Sequence, residues 1–170
     1  VTMHPPASVR AINNTYAMGV DVVCYSLEAP DAHSLDQNFR GRARFFGRER
    51  YLTALAHAAK IFPRGAVWSE LLADVAPAEA TSKAIQELTA LGVLPILGFS
   101  GKAAALPVTA RELAPVCAEL FEATLKAGIS MSWARDLSTA LTPLEARYFV
   151  AGAPQLPLLL QLSRNRLGAL

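Results

Sequence analysis

Apolar runs alternate with amphipathic stretches over residues 1–100, and this order predicts parallel strands joined by right-handed helical crossovers. A helix is expected from about Ser8 to Met18, with Ser8 as its cap and Gly19 as its stop. Val20-Asp-Val-Val-Cys-Tyr-Ser-Leu27 follows, a nearly unbroken β-rich run of the kind found in strands buried on both faces. After a polar connection from Ala29 to Gly47, a second helix is predicted from Arg48 to Phe62, burying Leu52, Leu55, Ala56, Ala59 and Phe62 at helical spacing. Pro63 and Gly65 end it. The next strand, Ala66 to Leu72, leads into a helix that opens with Pro77, buries Ala84, Leu88 and Leu91, and stops at Gly92. Val93 to Leu97 reads as a third strand.

Beyond Phe99 the alternation ends. Gly98 to Pro107 reads as a small-residue loop, and Thr109-Ala-Arg-Glu112 is a capping box before a long helix with the stripe Leu113, Val116, Cys117, Leu120 and Phe121. Thr142-Pro-Leu-Glu145 is a second capping box, opening a short helix through Phe149. The fold class expected from this pattern is α/β, with parallel strands first and helices at the C-terminal end.

Composition narrows the picture. With 170 residues, 52% of them hydrophobic and 18% charged, the chain can bury one core and is too apolar for a disordered segment. A net charge of +2 provides no general electrostatic footprint for nucleic acid or an anionic membrane. No apolar run reaches the roughly 20 residues of a spanning helix, and no signal peptide is visible, so the expected location is cytoplasmic. Cys24 and Cys117 each lie in an apolar run without CxxC or zinc spacing, and buried thiols are the expectation. Both ends read as cut, which predicts a preceding segment before Val1.

Ligands in parallel α/β folds lie at the carboxyl ends of the strands, where the loops converge. There the first long strand delivers Ser26 and Glu28, which share a face by the two-residue alternation of a strand. A hydroxyl and a carboxylate so placed suit the vicinal hydroxyls of a ribose; in the alternative, Ser26 bonds to backbone and Glu28 caps the turn. The next strand contributes Ser69, Glu70, Leu71 and Leu72, of which Glu70 requires a partner if buried. Asp74 is expected to cap or flank the helix near Pro77. The stretch from Asn38 to Arg50 mixes arginine with phenylalanine in a way that suits phosphates or stacked bases, but a solvated loop packing its aromatics on the rim is the stronger expectation. His4, His33 and His57 show no metal-site spacing.

Taken in order, Gly19 to Glu28, Gly47 to Leu55 with Ala58-Ala-Lys60, Val67-Trp-Ser-Glu-Leu-Leu72, Ala84 to Leu88 and Gly92-Val-Leu-Pro95 resemble the second half of a radical S-adenosylmethionine barrel of the biotin synthase and lipoyl synthase kind. The resemblance implies a partial TIM-like (βα) barrel over residues 1–100, with 101–170 as a C-terminal helical extension of the same domain. It implies that Ser26 and Glu28 bind the cofactor's ribose. It further implies that the stretch from Ser69 to Val75 meets the adenine through Leu71 or Leu72, and that the strand ending at Leu97 flanks it. S-adenosylmethionine would be the cofactor. The family's CxxxCxxC, which holds a 4Fe–4S cluster, is absent, and Glu70, Ala73 and Asp74 stand where glycines are usual.

The resulting expectation is a portion of a radical S-adenosylmethionine enzyme whose intact parent abstracts hydrogen from a small-molecule substrate. Two alternatives are a non-catalytic barrel remnant serving as a binding or assembly module, and an unrelated βα enzyme with Glu28 or Glu70 as general base. An open sheet edge would invite self-association or a covering N-terminal segment or subunit.

Overall fold

The computed structural model describes residues 2–100, 109–130 and 141–150. Four strands form one all-parallel sheet in sequential order: β1 (Thr2–Met3), β2 (Val23–Tyr25), β3 (Val67–Leu72) and β4 (Leu94–Gly98). Parallel neighbours need crossovers, and helices supply them: α1 (Val9–Ala17), then α2 (Ala32–Asn38), α3 (Arg40–Phe45) and α4 (Arg48–Ile61), then α5 (Ala78–Ala90). After β4 come α6 (Ala110–Lys126) and the short α7 (Pro143–Ala146), which runs into a 3-10 turn at Arg147–Phe149. The fold is mixed α/β with parallel strands, as the alternating pattern predicts.

Local signals fix the helix starts. The Ser8 side chain accepts from the Arg10 N–H at 3.2 Å, and Gly19 takes the positive φ that ends α1. Both capping boxes form, Thr109 with Glu112 and Thr142 with Glu145. Val116, Cys117, Leu120 and Phe121 are buried as the stripe of α6 requires, and they join one core with Leu55 of α4 and Ile85 and Leu88 of α5. Full burial of each such side chain contributes about 1.5–3 kcal/mol, so the stripes outweigh local propensity in holding these helices in place.

Several expectations need correction. The polar connection from Ala29 to Gly47 folds into the two helices α2 and α3, so the stretch from Asn38 to Arg50 is largely helical and not a solvated loop. Asp31 nucleates α2, accepting the Ser34 N–H at 2.7 Å in a reciprocal capping box that uses serine in place of glutamate. The α4 stripe is rotated by about one residue. Tyr51, Ala54, Leu55 and Ala58 are buried, whereas Leu52, Ala56 and Ala59 are only partly so, because Tyr51 turns inward with its phenol bonded to the His4 ring at the edge. β2 is three residues long rather than eight.

The outer edge of β4 is not bare. Leu97 exchanges both backbone hydrogen bonds with Leu141, at 2.9 and 2.7 Å, in an antiparallel bridge. Leu97 thus has Leu71 on one side and Leu141 on the other, which blunts this edge against further pairing at that point. The expected loop of residues 98–107 lies largely outside the described residues.

Candidate functional site

The carboxyl ends of the four strands gather polar chemistry. His4 follows β1, Ser26 and Glu28 follow β2, Glu70 lies within β3, and Gly98 closes β4. Along β3, Val67, Ser69 and Leu71 are fully buried while Trp68 and Glu70 are only partly so, which divides the strand into a sealed face and a more open one. Cys24 is registered with Trp68 and is fully buried, and Ser26 follows it at the end of β2, 7% exposed.

The chain between β2 and α2 is distorted. Cys24 pairs with Trp68, but Glu28 bridges to Leu71, so four steps on the first segment match three on β3. This extra residue is a bulge. Within it the Ala29 N–H donates to the Leu27 carbonyl at 2.7 Å, spanning Glu28, whose φ is +61°. That is a γ-turn centred on a non-glycine residue with positive φ, a geometry that costs roughly 1–3 kcal/mol and persists only where its surroundings impose it. β3 imposes it: the Glu28 N–H donates to the Glu70 carbonyl and its own carbonyl accepts from the Leu72 N–H, both at 2.8 Å.

Arg42, delivered by α3, fixes the Glu28 side chain. Its Nη2 lies 2.7 Å from Glu28 Oε1, and its Nη1 donates to the Ser26 carbonyl at 3.2 Å. The guanidinium also reaches the phenol of Tyr51, whose oxygen stands 3.1 Å from His4 Nδ1. Burial raises the Tyr51 pKa above its usual value, with the Arg42 charge opposing. His4 in turn stacks on Phe46 at 5.0 Å between ring centroids.

Glu70 is left over. Its carboxylate lies against Gly98, so closely that a Cβ there would stand 3.1 Å from Glu70 Cδ and overlap Oε1. Among the described residues it has no hydrogen-bond partner. Burial pushes its pKa up first, the negative charge of Glu28 adds to this, and Arg42 pulls the other way. Ser26 carries a second unmet group, a hydroxyl on a residue 7% exposed whose Oγ has no partner. Just beyond Gly98, Phe99 is 57% exposed at the same rim.

The sequence-predicted residues fall as follows. Ser26 and Glu28 stand at the rim, and Tyr25 to Glu28, the stretch starting at Ser69, and the stretch ending at Leu97 lie side by side and run the same way. The Ser69 Oγ accepts the Leu27 N–H at 3.0 Å and is fully buried on the sealed face with Leu71. Leu72 lies on the face of Glu70 near the end of β3, and Leu97 is fully buried. Asp74 does not cap α5. Its carboxylate accepts the Ser100 N–H and hydroxyl at 2.8–3.0 Å, tying the end of β3 to that of β4.

Sequence reasoning missed Arg42, Tyr51 and His4. The arginines of residues 38–50 are largely spent inside the molecule, Arg42 on Glu28, Arg48 on Glu87 and the Pro30 carbonyl, and Arg50 on the Pro6 carbonyl. Grooves lie away from the rim, one of about 840 Å³ between α5 and α6 and one of about 770 Å³ beside Arg48, and neither is lined by Glu28 or Glu70. Among the described residues there is no cluster of three or more metal-ligating side chains, and no helix is long and apolar enough to cross a membrane. No family model matches the chain, and no curated protein or solved structure matches it either.

Proposed function

We propose that this chain is the nucleoside-binding portion of a radical S-adenosylmethionine enzyme, with its four parallel strands forming part of a TIM-like barrel. One observation carries the reading: Glu28, just past the carboxyl end of β2, is held in a costly backbone conformation with its carboxylate paired to Arg42. Arg42 occupies Oε1 only, which leaves Oε2 able to accept from the paired hydroxyls of a ribose. The unmet Ser26 hydroxyl supplies a further polar group nearby, and Leu72 and Phe99 offer apolar surface to a base.

The nucleoside end of the cofactor therefore fits the residues present. The iron–sulfur cluster does not, because three thiolates cannot be drawn from two cysteines, both of them buried. Bound here through Glu28 and Ser26, the cofactor would serve radical chemistry in an intact parent, whose electron source this chain does not hold. The role of this chain is to hold the ribose and base, with Glu28 and Ser26 as binding residues and Arg42 as the group that orients Glu28. The same cysteine count favours a second reading, in which the chain is a non-catalytic module that lends its binding surface to another polypeptide.

Calorimetry with S-adenosylmethionine tests the binding site. Measurable heat is expected with ligand at about 1 mM or below, and Glu28→Ala should weaken binding roughly 10- to 100-fold. Absence of binding by the unaltered chain, or undiminished binding by the variant, would remove the ribose assignment.

A further inference from the structure

The three histidines are held to different degrees. His33 is exposed, and His57 bonds through Nε2 to Asn13 on the surface. His4 follows β1 directly, at the carboxyl end of the sheet, and is constrained twice. Its Nδ1 lies 3.1 Å from the Tyr51 phenol, and its ring stacks on Phe46 with 18° between the planes. The residue is nonetheless exposed, and among the described residues its Nε2 has no partner. An imidazole locked on one edge and one face thus keeps its second nitrogen open to solvent.

The contacts behind the ring decide which nitrogen carries the proton. A guanidinium can only donate, so Arg42 meets the Tyr51 phenol at its oxygen. Burial raises the Tyr51 pKa, which keeps the phenol protonated and leaves its hydrogen for His4 Nδ1. A neutral imidazole that accepts at Nδ1 has its proton at Nε2. The line from Glu28 through Arg42 and Tyr51 therefore ends in an N–H donor at the surface. Nearby charge favours an anion as its partner. The Arg50 guanidinium lies 5.3 Å from the centre of the same Phe46 ring and enters no ion pair among the described residues, while Glu28 is already neutralised by Arg42.

We propose that His4 is an anion-binding residue at the carboxyl end of β1, its Nε2–H donating to a carboxylate or phosphate oxygen of a small molecule. Tyr51 is the positioning residue that sets the tautomer. A donor fixed in advance by a hydrogen bond and a ring stack loses little freedom when it binds. This subsite stands apart from the nucleoside reading, because it uses neither Glu28 nor Ser26 as a ligand.

Nitrogen-15 NMR of the chain labelled in its histidines tests both halves. At about pH 8.5, His4, identified by the loss of its signals in His4→Gln, should show the proton on Nε2. Sodium acetate and inorganic phosphate, added at constant ionic strength, are the probes. Either should move the His4 signals along a saturating curve with a midpoint at roughly 10 mM, leaving those of His33 and His57 in place. The tighter probe identifies the carboxylate or the phosphate as the source of the oxygen. Tyr51→Phe should mix the tautomers and raise the midpoint roughly 3-fold. A proton on Nδ1 in the unaltered chain, three histidines that move alike, or an unchanged midpoint in Tyr51→Phe would overturn the proposal and leave the nucleoside reading untouched. Should Tyr51→Phe not fold, the tautomer and titrations of the unaltered chain still decide the matter.

Discussion

Gly65 and Gly98 sit at opposite ends of β3 and β4, and each leaves no room for a Cβ, yet they do different work. At Gly65 the added atom would stand 2.9 Å from the Ser130 carbonyl carbon, against backbone that cannot move aside, and φ is already +88°. At Gly98 it would meet the tip of the Glu70 side chain, which can swing away. The first glycine lets the chain after α6 close over the end of the sheet where β3 begins, a contact that Arg64 reinforces by donating to the Ala127 carbonyl. The second makes space for an ionisable group. One end of the sheet is assembled for stability, and the other holds a strained turn and unmatched charge.

Substitutions can break this contrast, and Gly65→Ala should have the largest effect. It combines a disfavoured φ with a backbone overlap and should lower unfolding free energy by roughly 2–4 kcal/mol, measured by denaturant titration. Gly98→Ala should cost only about 1 kcal/mol, because a flexible side chain absorbs the overlap. Comparable losses at the two positions would dissolve the distinction between the two ends.

Glu28→Gly sharpens the comparison from the other side. Glycine accepts positive φ without strain, so stability should change by less than about 1 kcal/mol in either direction while the proposed nucleoside binding weakens about as much as in Glu28→Ala. A large loss of stability would make Glu28 a structural residue after all, through its pairing with Arg42.

Smaller still is the pH effect at Glu70. Its folded pKa is raised, so in the pH range just above the ordinary carboxylate value the folded state holds a proton that the unfolded chain has released. Stability therefore falls as pH rises through that range. Glu70→Gln should remove this slope, being more stable than the unaltered chain at about pH 7.5 and indistinguishable from it at about pH 4. Parallel curves would show that Glu70 is not perturbed. Last comes Cys117, whose thiol burial pushes up to about 11. Alkylation there at about pH 8 should proceed far more slowly than in the unfolded chain, followed site by site by mass spectrometry.

Much of the fold was legible because its signals are local. Ser8, Thr109 and Thr142 announce helix starts through side chains that cap the next few N–H groups, and the α6 stripe repeats over several turns. α2 and α3 were hidden for the converse reason. At seven and six residues they are too short to show a stripe, and the box of α2 uses Ser34 where glutamate is the familiar sign.

At the rim, position could be read and pairing could not. Ser26, Glu28 and Glu70 were visible because strands run into them. That Arg42 would reach Glu28 depends on how α3 folds back over the sheet, and no spacing encodes it. The bulge was equally silent, since it arises from a mismatch between β2 and β3 rather than from either strand alone.

The γ-turn at Glu28 also makes a prediction about descent. The backbone there suits glycine, so a glutamate persists only while something rewards its side chain. In a lineage released from that demand, position 28 should be among the first at the rim to drift to glycine or asparagine, with the surrounding strands unaltered. The identity of this one residue across relatives would then report whether the site is still in use.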